Sequence, residues 1–239
     1  MATFVLVHGA WQGGWTWSRV TPLLRAQGHE VYTPTLSGCA ERVQQLSPQV
    51  GLETHVEDVA GLLLFERLRE VILVGHSYSG QVIASVASRL PERIRQLVYL
   101  DAFLPDDGVS ATMRQPEQIA HHYKQSVEER GFGWLIPPRK LDVLGVTEPG
   151  DVAWLKELML PHPYKAFNDP AIVSPESLAI PSAYIECIDW IRVFTPQREL
   201  AVSRGWPIRE LQTGHQAMQT APQALADTLV ELSTLTKES

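Results

Sequence analysis

Cysteine is scarce: the 239 residues contain two, Cys39 and Cys187. Two thiols so far apart cannot frame a disulfide-stapled scaffold, and they lack the paired spacing of a metal site. Long hydrophobic runs are missing too. The apolar stretch Phe4-Val5-Leu6-Val7 ends at His8-Gly9, too short for a membrane span or the core of a secretory leader. Basic blocks are absent, and 20 Lys and Arg against 27 Asp and Glu give a formal net charge of −7, so nucleic acid is not an expected partner. Neither an internal repeat nor a low-complexity segment occurs. These absences lead us to expect a soluble protein in a reducing, cytoplasmic setting, with no membrane partner.

What is present is an ordinary globular composition, 44% hydrophobic and 20% charged, in a length that suits one domain with a sizeable core. Short apolar runs recur at Phe4 to Val7, Val31-Tyr32, Val71 to Val74, Leu97 to Leu100, Ala183 to Ile188 and Ile208 to Leu211. Runs apolar on both faces read as buried strands of a parallel sheet. Between them lie helical stripes, such as Val56, Val59, Leu62 and Leu63, and near the end Leu225, Leu229 and Leu232. This alternation predicts a mostly parallel, doubly wound α/β sheet. It breaks between Pro105 and Pro181, where Gly131, Gly133, Pro137-Pro138 and Pro149-Gly150 punctuate short helical pieces. We read residues 105–181 as a helical cap inserted into a core made of 1–104 and 182–239.

The segment Val71-Ile72-Leu73-Val74-Gly75-His76-Ser77-Tyr78-Ser79-Gly80 carries the chemistry. A buried strand runs into a sharp turn and then a helix, the setting that exposes a nucleophilic serine. Such a turn tolerates only small residues two positions either side of its apex. Gly75 satisfies this, and Ser79 stands where glycine is usual. Ser77 is the candidate nucleophile, with helix capping as its plainer alternative role. A serine hydroxyl needs a base within hydrogen-bond reach. His215 follows the final strand through Gln212-Thr213-Gly214 and is better placed than the other seven histidines. A carboxylate should orient it. Asp189, ending the strand from Tyr184, is the first choice, and Asp101, ending Val98-Tyr99-Leu100, is the alternative. Two backbone amides should hold a developing oxyanion. Tyr78 and Ala10 are the candidates, with Gly9 allowing close approach.

These residues resemble the α/β-hydrolase superfamily. More narrowly they are similar to the branch of plant methyl-ester esterases, hydroxynitrile lyases and bacterial pyrethroid-type carboxylesterases. The motifs are His8-Gly9-Ala10-Trp11 with Trp15 and Trp17, Gly75-His76-Ser77, Tyr99-Leu100-Asp101-Ala102-Phe103-Leu104-Pro105, Tyr184-Ile185, and Gly214-His215 with Met218 and Pro222. Between 188 and 196 the chain is slightly shorter than the family pattern, so the acid stays open between Asp189 and Asp101.

The resemblance implies a serine carboxylesterase that cleaves a small to medium hydrophobic ester through an acyl-enzyme, without metal or organic cofactor. The lyases of the branch carry Thr in the slot of Gly9 and Lys after the catalytic His, where this chain has Gln216. That weighs against lyase activity, which stays an alternative beside amidase activity and a non-catalytic receptor of the same fold. Trp11 and Trp134 are the expected substrate-binding residues. A charged acyl group is not expected, for want of an obvious cationic clamp, with Arg114, Arg139 and Lys140 the residues that could supply one. A homodimer is left open.

Overall fold

The computed structural model describes residues 1–235. Six strands form one parallel sheet: β1 (Thr3–Val7), β2 (Glu30–Tyr32), β3 (Val71–His76), β4 (Ile94–Leu100), and, beyond a two-stranded antiparallel ribbon of β5 (Leu135–Ile136) and β6 (His162–Pro163), β7 (Ser182–Cys187) and β8 (Ile208–Leu211). Their order across the sheet is β2-β1-β3-β4-β7-β8. All six apolar runs read from the sequence are strands of this sheet.

The sheet is covered on both faces, which is why its strands read as continuous apolar runs. Side chains alternate between two apolar layers. Val5, Val7, Leu73, Leu97, Tyr99 and Tyr184 join one. Phe4, Leu6, Ile72, Val74, Val98, Leu100 and Ile185 join the other. The helices Leu52–Phe65 and Ser79–Arg89 bury their apolar stripes in the first layer, and Pro222–Thr234 does so in the second. Each fully buried aliphatic side chain contributes about 1.5–3 kcal/mol, so the two layers carry most of the stabilisation. No described helix is long and apolar enough to cross a membrane.

Strand order and register position the site. The chain builds outward from β1 to β2, then returns to place β3 on the other side of β1, so the loops after β1 and β3 diverge from a topological switch point. Val7 is in register with Gly75, His76 with Leu100, and Leu100 with Ile185. The residues just beyond these ends, Gly9-Ala10, Ser77 and Asp101, therefore emerge side by side at one edge.

The 105–181 stretch holds helices Glu117–Arg130, Pro149–Leu158, Tyr164–Asn168 and Pro175–Leu178 beside the β5–β6 ribbon. Trp11 fastens the core to that ribbon: its indole N–H donates to the Ile136 carbonyl at 3.0 Å, and its carbonyl accepts from the Leu160 amide at 3.0 Å.

Candidate active site

Ser77 occupies a left-handed backbone conformation, with φ at 56°, a strained geometry for any residue with a side chain. Tertiary structure holds it there. Its amide donates to the Leu100 carbonyl at 3.1 Å, and its carbonyl accepts from the Phe103 amide at 3.1 Å. The steric demand of the turn is visible at Gly75, where a Cβ would lie 2.6 Å from the Ser79 carbonyl oxygen, and at Gly80, where it would collide with the Phe103 carbonyl. At position 79, where glycine is usual, the Ser79 hydroxyl donates to the His8 carbonyl, tying the turn to the loop after β1.

His215 follows β8 on a loop whose amide donates to the Leu144 carbonyl at 2.9 Å, while its own carbonyl accepts from His76 Nε2 at 2.9 Å. Its Nδ1–H donates to Asp101 Oδ2 at 2.7 Å, which leaves Nε2 as the basic nitrogen. Asp101 is itself left-handed, φ 44°, and its other oxygen accepts from the Cys187 amide at 3.4 Å. Asp189, the first choice for the acid, is not brought to the site: it is exposed, and only its backbone is engaged, donating to the Thr213 carbonyl. The carboxylate that meets His215 is the alternative, Asp101. Asp101 directly follows β4 and Asp189 lies two residues beyond β7, and the left-handed turn at 101 brings its carboxylate to the imidazole.

Burial pushes the His215 imidazole from its ordinary 6.5 down to about 3, with the Arg139 charge adding to the fall. Burial also pushes the Asp101 carboxyl well above its usual range, against the Cys187 amide bond. Trp190 and Phe194 stack on the ring, with centroids 4.5 and 5.4 Å away. The resting histidine is neutral at physiological pH, the state a general base requires.

Among the described residues, the amides of Ala10 and Tyr78 have no intramolecular acceptor. Gly9 brings the first of these against the serine: a Cβ at Gly9 would lie 3.0 Å from Ser77 Cβ and 2.7 Å from His76 Nδ1. The Tyr78 phenol is anchored in the interior by donating to His55 Nδ1 at 2.9 Å.

Ser77 and His215 border one cavity of about 470 Å³, its opening to solvent included. Their side chains are not hydrogen-bonded to each other in this state, a looseness common in unliganded sites. The wall is largely aromatic and aliphatic, with Trp11, Phe103, Tyr123, Phe167, Trp190 and Phe194 prominent. Of the two tryptophans expected at the substrate, Trp11 lines the cavity and Trp134 does not. Trp134 precedes β5, and its carbonyl accepts from the Tyr164 amide, so the ribbon carries it elsewhere. Arg114 and Arg139, two of the three residues named from the sequence as able to supply a cationic clamp, line the cavity. Tyr123, Phe167 and Phe194 were missed because their approach depends on the folding of the 105–181 stretch and of the 188–196 loop.

The model of the Alpha/beta hydrolase family matches residues 4–228. The chain belongs to that family. It is 35% identical to the carbendazim hydrolyzing esterase of Nocardioides sp. (strain SG-4G) over 97% of this chain and 100% of that protein. Methylesterase 1 of Arabidopsis thaliana is 27% identical over 96% of this chain and 95% of its own length. Among solved structures, the extracellular alpha/beta-hydrolase of a Paenibacillus species, described as homologous in structure and function to tobacco salicylic acid binding protein 2, superposes with a TM-score of 0.85. It is 25% identical and covers 98% of this chain and 100% of its own. Methylesterases, a hydroxynitrile lyase and a pyrethroid hydrolase are all relatives, which is the branch indicated by the sequence motifs.

Proposed function

We propose that the protein is a serine carboxylesterase in which Ser77 is the nucleophile, His215 the general base and Asp101 the carboxylate that orients it. Its class, a hydrolase of ester bonds, follows from the family and from a full-length esterase relative. The observation that carries the residue assignment is the bond from His215 Nδ1 to Asp101 at 2.7 Å, which leaves Nε2 as the basic nitrogen of a ring that borders the same cavity as Ser77.

In the reaction, Nε2 takes the hydroxyl proton as Ser77 Oγ attacks the ester carbonyl carbon. The carbonyl π pair moves onto oxygen, where the amides of Ala10 and Tyr78 receive it. When the tetrahedral intermediate collapses, the C–O bond to the alcohol breaks and Nε2–H protonates the departing oxygen. Water activated by Nε2 then releases the acid from Ser77. Asp101 stabilises the imidazolium that exists transiently between these steps. The aromatic wall suits a hydrophobic ester, which we take to be small to medium in size.

Replacing Ser77 by Ala should abolish hydrolysis of a chromogenic short-chain ester and labelling by a fluorophosphonate probe. Retained turnover would refute the assignment, and an unlabelled wild-type protein would favour a receptor role. Nothing in the site favours the lyase alternative, since Gln216 is neutral and its Oε1 accepts from Gln12 Nε2 at 2.6 Å.

A further inference from the structure

The cavity that holds Ser77 also has a cationic side. Arg114, Gln115 and Arg139 line it, and no carboxylate does, in a chain whose net charge is −7. Arg114 is paired with Asp106, but that carboxylate also receives Arg204 at 2.7 Å, so the three groups carry a net positive charge. Arg139 has no acidic partner among the described residues. Its guanidinium lies 5.5 Å from the centre of the Tyr123 ring. Stacking on Tyr123 accounts for the position of Arg139. It does not account for Arg114 Nε, a donor buried without a hydrogen-bond partner. Buried polar atoms are normally satisfied, and an unsatisfied donor on a residue that lines a ligand cavity indicates a group that an acceptor on the ligand would complete.

We infer that the cavity selects esters that carry a second, anionic group, a free carboxylate on the same molecule, held by Arg139 with Arg114 Nε donating beside it. The inference rests on the reading of Ser77 as nucleophile. The aromatic wall takes the apolar body of such a substrate, and the cationic side orients it. A guanidinium and a carboxylate match in shape and charge, and the partly buried setting strengthens the bond. The same positive charge helps keep His215 neutral, so an anion bound there would raise the basicity of the imidazole just when substrate is present.

The test uses two matched pairs of chromogenic or phenolic esters. 4-Nitrophenyl hydrogen glutarate is compared with 4-nitrophenyl valerate, and 4-acetoxybenzoate with 4-acetoxytoluene, so that the charge sits on the acyl side in one pair and on the alcohol side in the other. The expected result is a preference of about tenfold in kcat/KM for the anionic member of at least one pair. That ratio should collapse in Arg139→Gln and be partly kept in Arg139→Lys. A preference for the neutral ester in both pairs, or a ratio unchanged in Arg139→Gln, overturns the inference. Calorimetry of glutarate with Ser77→Ala separates the two readings. Binding that disappears in the Ser77→Ala, Arg139→Gln double variant supports the anion site whatever the nucleophile. No binding to Ser77→Ala counts against the site and leaves the esterase assignment untouched.

Discussion

Trp190 lies nearly parallel to His215, with ring centroids 4.5 Å apart and planes inclined by 26°. The indole N–H is fixed by donation to the Cys187 carbonyl at 3.0 Å, so the ring forms a rigid cover that keeps water from the imidazole. Removing the cover in Trp190→Ala lessens the desolvation that depresses the His215 pKa. The group should then titrate closer to 6.5, and the acid limb of the kcat/KM profile should move upward by a pH unit or so, an order-of-magnitude expectation. An acid limb unchanged in the variant would show that the stacking does not control the base.

The two aspartates are distinguished by the same kinetic measurement. Asp101→Asn keeps the size of the side chain but removes the charge that favours the imidazolium and the correct tautomer. It should lower kcat by roughly 10³–10⁴, by analogy with the serine-protease triad. Asp189→Asn should stay within about threefold of the wild type, as expected for an exposed side chain remote from the imidazole. Equal losses in both variants would contradict the assignment of the acid.

The comparison of those aspartates also shows how far the sequence was legible. Ser77 and His215 are announced locally, one by a strand, a turn and a helix in ten residues, the other by its place after the last strand. The acid is not, because an Asp follows each of β4 and β7 within two residues and nothing in either segment reveals the left-handed φ at 101. The six strands were readable because burial on both faces leaves continuous apolar runs. The aromatic part of the cavity wall was not readable: Tyr123 and Phe167 come from the 105–181 stretch, whose short helices and ribbon follow no long period. Trp134 was singled out for its residue type, and a one-residue offset from β5 decides its fate.

Two glycines separate packing from propensity. At Gly61, inside the helix Leu52–Phe65, an added Cβ would meet nothing within 4 Å. Gly61→Ala should therefore stabilise the protein by roughly 0.5–1 kcal/mol through helix propensity. Gly80→Ala should destabilise it by about 1–3 kcal/mol or more, since the methyl would strike the Phe103 backbone. Denaturant midpoints would check both signs, and a destabilised Gly61→Ala would contradict the open space around that position.

Acid should unfold the protein by way of its buried histidines. Burial lowers His8 and His55 from 6.5 to about 4 and His215 to about 3, and it places His76 and His162 well below 6.5. Below pH 6.5 the unfolded chain binds protons at these positions while the native protein does not, so stability falls as pH falls from 6.5 toward 4 and is fully present above 6.5. Each neutral histidine contributes on the order of 1.4 kcal/mol per pH unit in that window. Asp101, pushed upward by burial, acts in the opposite sense and offsets part of the loss. A Tm constant from pH 7 to pH 4.5 would contradict the burial of this set.

The narrow space at Gly9 has a consequence for redesign. The sequence resemblance implies a threonine there in the lyases of the branch, whereas here even a methyl group would press on the His76 ring, which in turn supports the main chain at residue 215. Grafting the lyase residue alone would therefore push against the base that both chemistries share. A conversion would have to begin at the neighbouring histidine, with a smaller side chain at position 76 opening room before position 9 is changed.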